Sequence, residues 1–503
     1  MHPAELNRRL QAARNRLLAQ EFHRALPLYE SLTRECPGEP VVWLEYGNTA
    51  SGLRQHAIAD AAWQKAIGLA PRNVEMIGLI GHQYQGLRLP QKARACFELA
   101  AAADPRAINP RISLAVLLEQ QHRLDEARAA VEECMAVAPR DDQGRYFAAV
   151  LDRRENQLAS AERRLRDLLA PEPKHPYVRY AARYELAHIL DRTERFDEAI
   201  SFLIQAKQIV AGLTDTRVLL RSYDQMVDSA IRFVKAQPSS ILLEWGQSFP
   251  VASREPLPPV AFLGGHPRSG TTLLEQILDA HPAVAALDEP GAFLNVLQPE
   301  FHRSTEFGPE RLNRLRRLYV DALLQETGPN GKDKLLLDKN PSPTARLPVW
   351  LRVFPDLKVL IALRDPRDVV LSCYFQNIAL NATNVNFLSF DRLAKHYADL
   401  MEIWLTVRTW EGFQWMETRY EEIVADIEKE GRRVTEFLGL HWHEDQSRFY
   451  EKSRLKQLYS PTYQDVTQPV YSRSVARWRC YEKYLAPFLP ILAPYCRKFG
   501  YEP

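Results

Sequence analysis

Proline recurs every 34 residues through the first third of the chain, at Pro37, Pro71, Pro105, Pro139 and Pro173, and an alanine stands twelve residues before each, at Ala25, Ala59, Ala93, Ala127 and Ala161. A unit of this length is a helix pair. The small residue lets two helices approach closely, and the proline, unable to continue a helix, closes the second one. The segments RLDEARAAVEECMAVAP (123–139) and RFDEAISFLIQAKQIV (195–210) carry apolar residues at helical spacing with charge on the opposite face. In the second of these Ala199 lies 38 residues after Ala161, so a short insertion is expected around His175–Tyr180.

A helix pair that cannot bury its apolar face alone must stack on its neighbours, which makes residues 5–236 an α-solenoid. The pattern resembles the tetratricopeptide repeat. That resemblance implies a concave surface holding a protein or peptide. A structural or self-associating extension, giving a homo-oligomer, stays open beside it because fold alone does not choose. The periodicity stops at Gln237, and prolines crowd positions 238, 250, 256, 258 and 259. This places a linker at 237–258 and a second domain at 259–503, as a chain of 503 residues requires. The repeat half is expected to choose the acceptor or a partner and to add nothing to cofactor binding.

A formal net charge of +2 with 25% charged residues gives no global field for nucleic acid or an anionic membrane. The N-terminus lacks a signal-peptide core, and no run reaches the roughly 18 to 20 apolar residues of a membrane span. The six cysteines are scattered, with no CxxC pair. They read as reduced thiols, mostly core residues, of a cytoplasmic protein. No His/Cys/Asp cluster has metal-ligand spacing, so no metal is expected.

The second domain opens with PVAFLGGHPRSGTTLLEQILDAHP. An apolar strand, Val260–Gly264, leads through a glycine-rich turn into a helix at Thr271–Ala280, the arrangement whose N–H groups and helix dipole collect a phosphate. Gly265 and Gly270 have Walker A spacing, but Thr271 and Thr272 follow where that loop carries Lys. A ligand without a γ-phosphate does not need that lysine. The string PRSGTTL resembles the 5′-phosphosulfate loop of sulfotransferases, particularly the tyrosylprotein sulfotransferases. The resemblance makes Arg268, Ser269, Gly270, Thr271 and Thr272 candidate ligands of 3′-phosphoadenosine-5′-phosphosulfate (PAPS). It implies an α/β domain related to P-loop kinases, with a mainly parallel central sheet.

Further on, KVLIALRDPRDVVLSCYFQ places Arg364 at the C-terminal end of a strand and Ser372 in the following helix. In the family an Arg and a Ser at this spacing hold the 3′-phosphate. The competing role for Arg364 is an ion pair with Asp365 or Asp368. Gln376 stands where the tyrosylprotein enzymes tend to have a basic residue. The stretch 417–440 resembles the segment that brings a tyrosine, here Tyr420, to the cofactor, and 471–485 resembles the C-terminal loop over the adenosine end, with Arg473 and Ser474. An ordinary core tyrosine and a surface loop are the alternatives.

Sulfuryl transfer to a hydroxyl needs a base for the acceptor proton and a cation for the departing oxygen. Glu289 aligns with the family's general base, and Lys339 with its charge-stabilising lysine; Arg268 is expected to assist in the in-line transfer. A helix cap near Gly291 and a solvated turn are their competing roles. His266 and His281 are expected to be structural. The chain is therefore identified as resembling a tetratricopeptide repeat-containing sulfotransferase acting on a hydroxyl, a protein tyrosine among the candidates. A P-loop kinase-like phosphotransferase and a non-catalytic repeat adaptor are the rivals.

Overall fold

The 34-residue register is realised as alternating helices. The first helices of successive pairs are Pro40–Gly52, Val74–Gly86, Ile108–Gln120 and Asp142–Arg154, and the second helices are Phe22–Glu35, His56–Leu69, Pro90–Ala103, Leu124–Val137 and Leu158–Leu169. The five register alanines are fully buried. A larger side chain there would overpack the helix contact at a cost of about 1–3 kcal/mol. The computed structural model describes residues 2–19, 21–53, 55–303, 307–328, 331–453 and 465–502.

The 38-residue step has a different origin from the expected insertion. Helix Pro176–Arg192 starts in register, 34 residues after Asp142, but runs for 17 residues where its predecessor Asp142–Arg154 has 13. The extra four residues are one more helical turn, added before the next helix, Phe196–Ala211.

The chain divides into two compact units, Met1–Val178 and Arg179–Pro503. This division falls inside helix Pro176–Arg192, well before the boundary expected at 236. The physical reason is tertiary: Lys207 of Phe196–Ala211 donates to the Phe387 carbonyl at 2.7 Å, and Arg392 bonds Asp224 of helix Thr216–Ala236 at 2.7 Å. The stretch read as a linker contains helix Ile241–Ser248, whose Ile241 and Leu242 are buried.

In the second unit, four largely buried apolar runs and a more exposed edge strand, QWMETR, form an all-parallel sheet, as such runs do when helices cover both sides. Its strands are β1 (Val260–Gly265), β2 (Val284–Asp288), β3 (Leu335–Lys339), β4 (Lys358–Leu363) and β5 (Gln414–Arg419), in the order β2-β3-β1-β4-β5. Leu263, Leu337 and Leu360 pack with Leu274 and Ile277 of helix Thr271–Asp279. Phe262 meets Trp350, which stacks on Phe293 at 4.0 Å. From β1 the chain goes to one side for β2 and β3 and to the other for β4 and β5, so the C-terminal end of β1 lies at the reversal of strand order where open α/β sheets bind ligands.

Cys36, Cys96, Cys134, Cys373 and Cys496 are buried and Cys480 is exposed, all unpaired. Among the described residues no helix is long and apolar enough to cross a membrane.

Candidate functional site

Every candidate residue in the sheet domain sits at or after the C-terminal end of a strand or in a segment that touches one. Strand register sets this level: Leu263 pairs with Lys339, Lys339 with Asp288, Gly265 with Ala362 and Leu363 with Arg419. Backbone strain marks the same level. Seven described non-glycine residues have positive φ. Four of them, Arg88, His122, Asn156 and Glu194, are turns between repeat helices; the other three are Arg268, Glu289 and Ala476. Such conformations cost about 1–3 kcal/mol each and gather at ligand clamps.

After β1, Gly265 (φ +131°) leaves no room for a side chain: a Cβ there would lie 2.4 Å from the Ala362 carbonyl oxygen on β4. Gly270 (φ +91°) caps helix Thr271–Asp279, and its Cβ would lie 2.7 Å from the Tyr420 ring. The turn is thus pressed between two neighbours, with Ser269, Thr271 and Thr272 buried. The first N–H groups of the helix have no intrahelical acceptor, which suits them to an anion.

The arginines converge on this turn. Arg268 Nε donates to Ser372 Oγ at 3.1 Å, in helix Pro366–Tyr374. Arg364 donates through Nη1 to the Arg268 carbonyl at 3.3 Å and through Nη2 to the Ser474 carbonyl at 2.5 Å, and its guanidinium lies 4.8 Å from the Tyr420 ring centroid. Its Nε is buried without a hydrogen-bond partner. A buried guanidinium N–H left unsatisfied is costly, so this site has room in its chemistry for an acceptor such as a phosphate oxygen. Arg268, Gly270, Arg364, Ser372, Tyr420 and Ser474 are therefore brought together; Ser474 contributes its carbonyl. Arg473 stacks on Tyr471 at 4.2 Å. Gln376 donates to the Ser372 carbonyl at 3.1 Å.

A second group lies at the ends of β2 and β3. The Glu289 N–H donates to the Lys339 carbonyl at 2.8 Å, fixing the positive-φ corner (+52°), and its side chain is 44% exposed while that of Lys339 is 0% exposed. The Lys339 ammonium donates to Asp288 Oδ1 and to Glu289 Oε1, the latter at 3.3 Å. Burial works against the charge on Lys339, but the carboxylates of Asp288, Glu289 and Glu275 outweigh it and hold the pKa above the usual lysine value. The Gly291 N–H donates to Glu326 Oε1 at 3.3 Å.

His266 is fully buried, its Nε2 2.7 Å from His396 Nδ1, and burial drives its pKa down to about 4. His281 Nε2 lies 2.9 Å from the His441 carbonyl oxygen, and its Nδ1 accepts the Ala283 N–H. Both are placed as turn supports. Sequence reasoning missed Asp288, His396 and Asp368. Asp368 Oδ1 accepts the Trp478 N–H at 2.8 Å, and Arg367 stacks on the Trp478 ring at 4.0 Å. Only Asp288, adjacent to the glutamate and opposite the lysine in a parallel pair, left a usable sequence signal.

Residues 259–444 match the sulfotransferase family, and residues 180–209 match the tetratricopeptide repeat. Similar chains include an uncharacterized protein of Aquifex aeolicus (strain VF5), 27% identical over 62% of this chain and 41% of its own length. Protein-tyrosine sulfotransferase A of Caenorhabditis elegans is 26% identical over 49% of this chain and 68% of its own, and protein-tyrosine sulfotransferase 1 of Homo sapiens is 26% identical over 49% and 70%. The chain thus spans less than half of the Aquifex protein and about two thirds of the animal ones. Among solved structures, the sulfotransferase domain of the Synechococcus PCC 7002 olefin synthase aligns with TM-score 0.35 at 18% identity, over 50% of this chain and 97% of that one. The pilus biogenesis factor PilW aligns with TM-score 0.32 at 17% identity, over 40% and 92%. The chain carries a sulfotransferase-family domain together with tetratricopeptide repeats. The two animal relatives named above are protein-tyrosine sulfotransferases.

Proposed function

We propose that this protein transfers the sulfuryl group of PAPS to a hydroxyl acceptor. The observation that carries the reading is the Arg268–Ser372–Arg364 cluster against a glycine-capped helix start, with the Arg364 Nε buried and unpartnered. PAPS supplies the sulfuryl group and departs as adenosine 3′,5′-bisphosphate. The turn at 268–272 takes the 5′-phosphate, and Arg364 with Ser372 takes the 3′-phosphate, an assignment that suits a planar guanidinium. Tyr420, Arg473 and Ser474 border the adenosine end.

Glu289 is the base: it is the exposed carboxylate at the strand ends and can accept the acceptor's proton there. Lys339 carries positive charge towards the sulfuryl and leaving oxygens together with Arg268, and it has a task the sequence did not suggest. Its ammonium, 3.3 Å from Glu289 Oε1, holds that carboxylate in place. The names of the animal relatives and the presence of peptide-binding-type repeats favour a protein tyrosine as acceptor.

Calorimetry of the full chain tests the donor. Adenosine 3′,5′-bisphosphate should bind without Mg²⁺ and more tightly than ATP·Mg²⁺; the reverse order would establish the phosphotransferase alternative instead.

A further inference from the structure

The extra turn of helix Pro176–Arg192 has a specific product. Counted from the helix start, Asp191 lies beyond the thirteenth residue, where the helix of the preceding repeat has already ended. Asp191 Oδ1 accepts from Arg477 Nε at 3.0 Å and from Tyr481 Oη at 2.6 Å, and Arg477 Nη2 lies 2.8 Å away. Both side chains of the ion pair are largely buried, at 17% and 21% exposed, and Tyr481 is fully buried. An ion pair so withdrawn from water holds its geometry far better than a surface pair.

Arg477 and Tyr481 belong to the segment that reaches the donor site. Three residues before Arg477, the Ser474 carbonyl accepts from Arg364; one residue after it, the Trp478 N–H is held by Asp368. Between them Ala476 is in the left-handed region (φ +54°), a conformation that persists only where its surroundings enforce it. Arg477 also stacks 4.4 Å from Phe375, which follows the helix carrying Ser372. One side of this segment is thus fastened to the 3′-phosphate residues and the other to Asp191.

We infer that Asp191, supplied by the last lengthened repeat, is a positioning residue for donor binding. It acts through Arg477 and Tyr481 on the Ser474 carbonyl and so on the aim of Arg364. This rests on the sulfotransferase reading above, and it departs from the expectation that the repeats add nothing to the cofactor site. Because the route ends on Arg364, its effect falls more heavily on the 3′-phosphate than on the rest of the donor.

Titration calorimetry of the full chain with adenosine 3′,5′-bisphosphate and with adenosine 5′-monophosphate separates the two claims. Wild type should prefer the bisphosphate; no preference would remove the sulfotransferase reading and this inference with it. Given that preference, Asp191→Asn and Arg477→Gln should each reduce it about 2- to 30-fold, the range of coupling carried through packed networks, with a smaller loss for the monophosphate than for the bisphosphate. The double variant should lose less than the sum of the two single losses, because both break the Asp191–Arg477 contact. An unaltered preference in either folded variant, an equal loss for both ligands, or additive losses would overturn the inference while leaving the reading intact. Should Asp191→Asn fail to fold, Arg477→Gln carries the comparison alone.

Discussion

Glu289 and Arg364 stand at opposite ends of the proposed donor and should fail differently. Glu289→Gln keeps the shape and removes the base, so turnover should fall about 10²- to 10⁴-fold while bisphosphate affinity holds. Arg364→Ala removes a charge-assisted contact worth about 1.5–3 kcal/mol, so the bisphosphate dissociation constant should rise about 10- to 150-fold. Steady-state kinetics and calorimetry on the two variants decide; full turnover in the first or unchanged affinity in the second would remove that residue's role. The candidates that could be read from sequence are those whose chemistry depends on short spacing along one strand-turn-helix, such as Arg268 with Gly270 or Arg364 with Ser372. Asp368 and His396 gave no such signal. Their partners, Trp478 and His266, are 110 and 130 residues away, and only folding pairs them.

The elements around the site store opposed charges in places that water does not reach. On β3, Asp338 is fully buried; one carboxylate oxygen accepts from Tyr319, whose own oxygen accepts the Trp350 indole N–H at 2.7 Å, and the other oxygen has no partner. Burial raises its pKa from 3.8 to about 7, against the opposing Tyr319 hydrogen bond. A folded-state value above the unfolded one means that the stability tied to this group is complete below about 3.8 and is lost as pH rises to about 7. Asp338→Asn cannot ionise, so its melting temperature relative to wild type should shift in the variant's favour across that window; a difference independent of pH would show that Asp338 does not titrate there. The elements themselves were largely legible. The 34-residue step gave the helix pairs and the apolar runs gave β1 and β4. The spacing implies a short insertion near His175–Tyr180 but does not show its form, because four extra residues change the spacing identically whether they extend a helix, as in Pro176–Arg192, or a connection.

At the scale of the whole molecule, the two units Met1–Val178 and Arg179–Pro503 each have their own buried core. Scanning calorimetry of the full chain should show two transitions. Bisphosphate at about 100 times its dissociation constant should stabilise only one, by about 2.7 kcal/mol. One transition that moves as a whole would mean that the units melt together. The fold class could be read from periodicity, but the division could not, because Lys207 and Asp224 meet residues far along the chain and that pairing has no period. The lengthened helix Pro176–Arg192 has a further consequence, for how such a chain can change in evolution. Upstream of it the units are interchangeable in length, so one can be duplicated or lost as a 34-residue block without disturbing the helix that follows. From Pro176 onward that freedom ends: four residues turn a helix by about 400°, so the added turn leaves the chain about 40° out of phase with its predecessors. Copy number is therefore free to drift at one end of the array, while the last repeat is tied to the domain that follows it.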